Sequence, residues 1–115
     1  MATVAHETHA TLSGISQGEL DLLEDAVGLR ETQLEATGLD PRTFALVKIA
    51  ALIALDAPPA SYAWQVANAL QDGATAEDIL GVLRAVGPQV GGPRVVAAAP
   101  EIMVALGLSL PETDE

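Results

Sequence analysis

The chain has no cysteine among its 115 residues. Disulfides, thiolate metal sites and every reaction that needs a thiolate nucleophile are therefore outside its chemistry. Aromatic side chains are almost as scarce: Phe44, Tyr62 and Trp64 are the full set, all within residues 44–64. Bases are few, five Lys and Arg against sixteen acids, for a formal net charge of -11. A surface with that balance repels phosphate backbones and anionic lipid, so neither nucleic acid nor a membrane is an expected partner. Long hydrophobic runs are missing too. The most apolar stretch, Phe44 to Leu55, has 12 residues, where a bilayer span needs about 20. Residues 1–14 lack the basic and apolar regions of a signal peptide, and a cytoplasmic protein is expected.

The acids are unevenly spread. Residues 1–40 hold eight against Arg30 alone, residues 41–110 hold five against four bases, and Glu112, Asp114 and Glu115 follow. Solubility accounts for this excess; an acidic first helix that binds a partner protein is the alternative. The length fits one domain, small enough to gain from association with further copies.

What is there is helical in period throughout, and the expected fold class is all-α. Ser16 and Glu19 have capping-box spacing ahead of Leu20, Leu23, Val27 and Leu34, which predicts one helix ending at Gly38. Asp40-Pro41 reads as an N-cap followed by proline in the first turn of the apolar helix. A break at Asp56-Ala57-Pro58-Pro59 precedes a helix from Ala60 to Gln71. Thr75 and Asp78 cap a short helix whose Ile79, Val82, Leu83 and Val86 share a face, with Gly87-Pro88 as its stop. A last helix after Gly91-Gly92-Pro93 presents Val95, Ala98, Ala99, Ile102 and Leu106, with a bend expected at Pro100. Residues 1–14 read as a flexible tail, 15–108 as the single helical domain and 109–115 as an acidic tail.

Phe44 to Leu55 is apolar at every position but Lys48. Such a helix has to be covered on all sides, which points to self-association. Lys48 itself must reach water along its stem or meet an acceptor, with Asp56 or a carboxylate of another subunit as candidates. Desolvation would also make it a candidate base or nucleophile. On the next helix Ser61, Gln65, Asn68 and Asp72 recur at spacings of four, three and four, opposite Ala63, Val66, Ala67 and Leu70, which read as the core side. Asn68 and Asp72 read as solvated. Ser61 and Gln65, next to Tyr62 and Trp64, are candidate pocket residues, because small-molecule sites combine apolar walls with a few placed hydrogen-bonding groups.

Leu39-Asp40-Pro41-Arg42-Thr43, the apolar helix, the helix ending in Asp72-Gly73-Ala74-Thr75-Ala76-Glu77-Asp78-Ile79, and Val90-Gly91-Gly92-Pro93 together resemble the carboxymuconolactone decarboxylase family, which includes the alkylhydroperoxidase-D-like proteins. The resemblance covers roughly residues 17–107. It implies a small helical domain in an interlocked homo-oligomer, a trimer or hexamer. Counted back from Asp72-Gly73, the redox branch's C-x-x-C-x-x-x-H falls on Pro58, Ser61 and Gln65. The decarboxylase branch's histidine also falls on Gln65, and the acidic relay of the peroxidases near Ala45 or Leu46. None of these functional residues is present.

Other patterns carry less. His6 and His9 could share a helical face but have no third ligand nearby, so no metal site and no cofactor is expected. Gly91-Gly92-Pro93 lacks the further glycines of a phosphate loop. Ser61 has no nearby histidine to activate it. Arg84 and Arg94 are candidate anion contacts or surface ion-pair partners. The reading is a non-redox small-molecule-binding or structural oligomer, with ligand-binding candidates Lys48, Ser61, Tyr62, Trp64 and Gln65 and a small organic acid or lactone as ligand. The runner-up is a cofactor-free decarboxylase or isomerase in which Lys48, Ser61 and Gln65 are catalytic.

Overall fold

A computed structural model describes residues 3–28 and 30–112. The described residues are all-helical, with no strand among them. The helices are α1 (His6–Ser16), α2 (Leu20–Val27), α3 (Arg30–Thr37), α4 (Pro41–Leu55), α5 (Pro59–Gln71), α6 (Ala76–Val90) and α7 (Gly92–Ala105). They fall into two compact units, Met1–Gly38 and Leu39–Glu115. Among the described residues no helix is long and apolar enough to cross a membrane.

In the first unit α1 and α2 meet at Gly14, which is buried. A Cβ there would collide with Leu22 Cδ1 and lie 2.6 Å from Glu19 Oε2. The segment expected to be a tail thus contains a helix. Ser16 does not open the next helix; it belongs to the last turn of α1, where its hydroxyl donates to the Ser13 carbonyl at 2.7 Å. The single helix expected up to Gly38 is also divided, because Gly28 takes φ +99° between α2 and α3. That left-handed conformation is open to glycine and stops helical propagation. Gln33 Nε2 then donates to the Val27 carbonyl at 2.9 Å and ties α3 to the end of α2.

The second unit begins with two local devices at the expected places. At α4 the Thr43 N–H donates to Asp40 Oδ2 at 3.0 Å and the Thr43 hydroxyl to Asp40 Oδ1 at 2.6 Å. At α6 the Asp78 N–H donates to Thr75 Oγ1 and the Thr75 N–H to Asp78 Oδ2, closing a capping box. Arg42 near the start of α4 reaches Asp78 Oδ1 at 2.7 Å, so the starts of α4 and α6 are joined by an ion pair. Ile49 and Ile53 of α4, Tyr62 and Val66 of α5, Ile79 of α6 and Ile102 of α7 form the core, filled in by Ala45, Ala69, Ala74 and Ala98. Asp56 leaves α4 in the left-handed region at φ 54°, and Pro58 and Pro59 start α5.

Two expectations about proline are corrected or extended. Gly87-Pro88 does not end α6, which runs on to Val90. Proline already holds the helical φ, and the Gly91 N–H donating to the Gly87 carbonyl at 2.9 Å resumes the ladder beyond it. The helix stops instead at Gly91, with φ +89°. Pro100 likewise lies inside α7, which continues to Ala105.

The caps should show in the pH dependence of stability. The hydrogen bond with the Thr75 backbone, then Arg42, holds Asp78 below the ordinary 3.8, and the Thr43 hydroxyl and N–H do the same for Asp40. Both carboxyls lie lower in the folded chain than in the unfolded one. Their contribution is therefore complete above 3.8 and is lost as pH falls through the lowered folded values. Asp78→Asn should melt below the parent at neutral pH, with the gap closing as the pH is taken below 3.8; a gap of constant size would remove the charge from the account.

Candidate functional site

The seam between α4 and α5 brings together part of the predicted site. Lys48 extends from α4 with its Nζ 4.8 Å from the centroid of the Phe44 ring, one turn back, and 6.0 Å from the centroid of Trp64 on α5. An ammonium at these distances is attracted by the electron-rich ring faces, which offsets part of its burial cost. Lys48 and Trp64 are half-buried. So are Ser61 and Asn68, which fall on the same edge of α5 as Trp64, at spacings of three and four from it.

Gln65, next to Trp64, is the buried polar residue among the described residues, only 6% exposed. Its Oε1 is buried without a hydrogen-bond partner, and so is Nδ2 of Asn68, one turn further on. Leaving a donor or acceptor bare costs about 1–3 kcal/mol each. The helix therefore carries an acceptor and a donor at i and i+3 that the described residues do not satisfy. Asn68, expected to be solvated, joins the site, and Asp72 is half-buried as well. Phe44 was also missed. Its signal was the four-residue spacing to Lys48, which puts ring and ammonium on one helix face.

Tyr62 parts company with these residues. It is 1% exposed and belongs to the hydrophobic core with Val66 and Ala69. Burial first, then the carboxylates of Asp56 and Glu101, pushes its phenol above the ordinary 10.0, so it keeps its proton at neutral pH. Glu101 lies on α7, so Tyr62 serves the α5–α7 side of the core.

The facing of α5 is the main correction to the sequence reading. Ala63, Ala67 and Leu70, expected to be core, are exposed, and Gln65 is inside; only Val66 of that set is buried. The reason lies in the neighbouring helices: α5 turns Tyr62, Gln65, Val66 and Ala69 toward them, and small apolar Ala63 and Ala67 can lie on either side of a helix. Elsewhere, His6 and His9 sit on α1 with exposed side chains, and no group of metal-binding side chains gathers among the described residues. Arg84 and Arg94 are exposed. A shallow depression lined by Glu7, Thr8, Thr11 and Leu12 lies along α1, in the other unit.

These features define a class: a small, cysteine-free domain, all-helical among the described residues, whose paired helices α4 and α5 carry an aromatic-held lysine and a buried amide. The chain belongs to the carboxymuconolactone decarboxylase family, whose family model matches residues 20–102. No curated protein and no solved structure matches it. Within that family membership the positions aligned above with the redox motif are Pro58, Ser61 and Gln65, none of which forms a thiolate. Peroxide turnover in an assay coupled to lipoamide or thioredoxin should equal the protein-free blank; turnover that persists after trace metals are removed would contradict this chemistry.

Proposed function

We propose that this protein is a non-redox oligomer that binds a small organic acid at the α4–α5 edge. The observation that carries the reading is Lys48, held by the faces of Phe44 and Trp64 at a half-buried position. A cation kept in place by rings, at an edge water can still reach, is pre-organised for a carboxylate that approaches it. Burial of the surroundings makes that contact stronger than a surface ion pair would be. Ser61, Trp64, Gln65 and Asn68 supply the apolar wall and the placed polar groups of a small-molecule site.

The outward surfaces support self-association. On α4, Val47 is 53% and Leu55 75% exposed, and Ala51 and Ala54 lie outside with them. On α5 the outward residues are Ala63, Ala67 and Leu70. Between residues 43 and 71 the only charges are Lys48 and Asp56. Four of the ten core residues are alanines, while larger Val and Leu side chains lie outside, so size is inverted between core and surface. A second copy covering these faces removes the inversion, and each Leu or Val that becomes covered adds about 1.5–3 kcal/mol at most. The enzymatic alternative would use Lys48 for charge or proton transfer, with Ser61 and Gln65 orienting the substrate. Tyr62, the one phenol that stays protonated, faces the core rather than Lys48, which leaves binding as the favoured reading.

Trp64 is the only tryptophan and therefore an internal reporter. Titration of the parent with butanoate should change its emission saturably. Lys48→Met keeps the apolar stem and removes the charge. It should weaken binding by about 1.5–3 kcal/mol while the melting temperature stays level or rises. Unchanged affinity in Lys48→Met, or no saturable change in the parent, would end the carboxylate reading.

A further inference from the structure

The apolar outer side of α4 has a counterpart across the second unit. Opposite its core residues Ala98 and Ile102, α7 turns out Pro93, Ala97, Pro100 and Val104 at spacings of four, three and four, with Val96 73% exposed beside them. No charge interrupts that stripe. The outer stripe of α4 is built the same way, from Val47, Ala51 and Ala54 opposite Ala45 and Ile49. On α6, by contrast, the outer side carries Glu77 and Arg84, both exposed, as suits a helix that faces water. Two apolar stripes on one unit call for cover twice over.

Both α5 and α6 pack against α4 as well as α7, so α4 and α7 stand at opposite corners of the bundle and their outer stripes face in opposite directions. Those directions decide the kind of contact. A two-fold pair joined through α4 would leave Val96 and Val104 bare, and a pair joined through α7 would leave Val47 and Leu55 bare. A head-to-tail contact covers both stripes with one interface. Charge permits it as well: two copies at -11 repel where their acids meet, but residues 95–111 hold Glu101 as their one charge, and residues 43–71 only Lys48 and Asp56. Resting on the self-association part of the function proposed above, we infer that the outer face of α7 receives α4 of a second copy, and that the copies join head to tail. Each pair then keeps one open α4 face and one open α7 face, and assembly continues until a ring of three or more copies closes.

The test mixes two full-length variants, each charged on one face. Val47→Glu with Leu55→Glu blocks α4, and Val96→Glu with Val104→Glu blocks α7; all four positions are exposed, so both variants should keep the parent's circular dichroism. In light scattering at micromolar concentration each alone should show the 11.8 kDa of a single chain. Mixed one to one they should give twice that mass, because one intact α4 face meets one intact α7 face and nothing further can add. Single cysteines supply a second reading, free of background in a cysteine-free chain and without charge on either face. A short bismaleimide should join Val47→Cys to Val96→Cys in a mixture and should join neither variant to itself. An α7 variant that keeps the parent's mass, a mixture that stays at the single-chain mass, or Val47→Cys cross-linked to itself would overturn the head-to-tail contact and leave self-association standing. A monomeric parent would overturn both.

Discussion

The organising constraint is the covering of α4. A helix with an apolar residue at every position from Phe44 to Leu55 except Lys48 has no side suited to water. Ile49, Ile53 and Ala45 face inward and are fully buried, and they determine how α5, α6 and α7 pack. The start of the helix is held by the Asp40 cap and by the Arg42–Asp78 ion pair. Its far end turns out through the left-handed Asp56 and two prolines, which bring α5 back beside it. The helices of this unit leave Val47 and Leu55 uncovered. Under the function proposed here, the same demand for cover that builds the core continues outward and recruits another copy.

Chemistry arises at the edge between those two sides. Lys48 is neither inside with Ile49 nor outside with Val47, and the rings of Phe44 and Trp64 meet it there. A buried ammonium with no such company would be costly. On α5 the polar residues lie along the neighbouring edge, and Gln65 is drawn inside because α5 turns that face toward the other helices. The helix thus tolerates two unsatisfied amide atoms, a cost a compact domain normally avoids.

How much of this could be read in advance depends on how local the cause is. The caps at Asp40 and Thr75–Asp78 were legible because a side chain and an N–H three residues away decide them. The apolar helix and the Pro58–Pro59 start of α5 were legible for the same reason, and so was the family pattern matched over residues 20–102. Gly28 was not, since a glycine within a periodic stretch gives no sign of which hand it will take. Pro88 misled because the rule that proline ends a helix gave way to a backbone ladder resumed at Gly91. The facing of α5 was hidden because Ala63 and Ala67 look like core, and which side of an alanine-rich helix is covered is decided by its neighbours. Lys48, Ser61, Trp64 and Gln65 were named from residue type and spacing, and the structure places Lys48 beside Trp64 at the α4–α5 seam. Phe44 and Asn68 needed the seam itself, and Tyr62 was assigned to the site through sequence proximity that the helix turn undoes.

The claim that α4 requires cover on both sides is open to one direct measurement. Gel filtration coupled to light scattering should give the parent a mass at least three times the 11.8 kDa of one chain. A Val47→Glu, Leu55→Glu double variant, charged on the outward face alone, should fall to the single-chain mass with its helical circular dichroism retained. A parent that is monomeric at micromolar concentration, or a double variant that assembles as the parent does, would contradict the account.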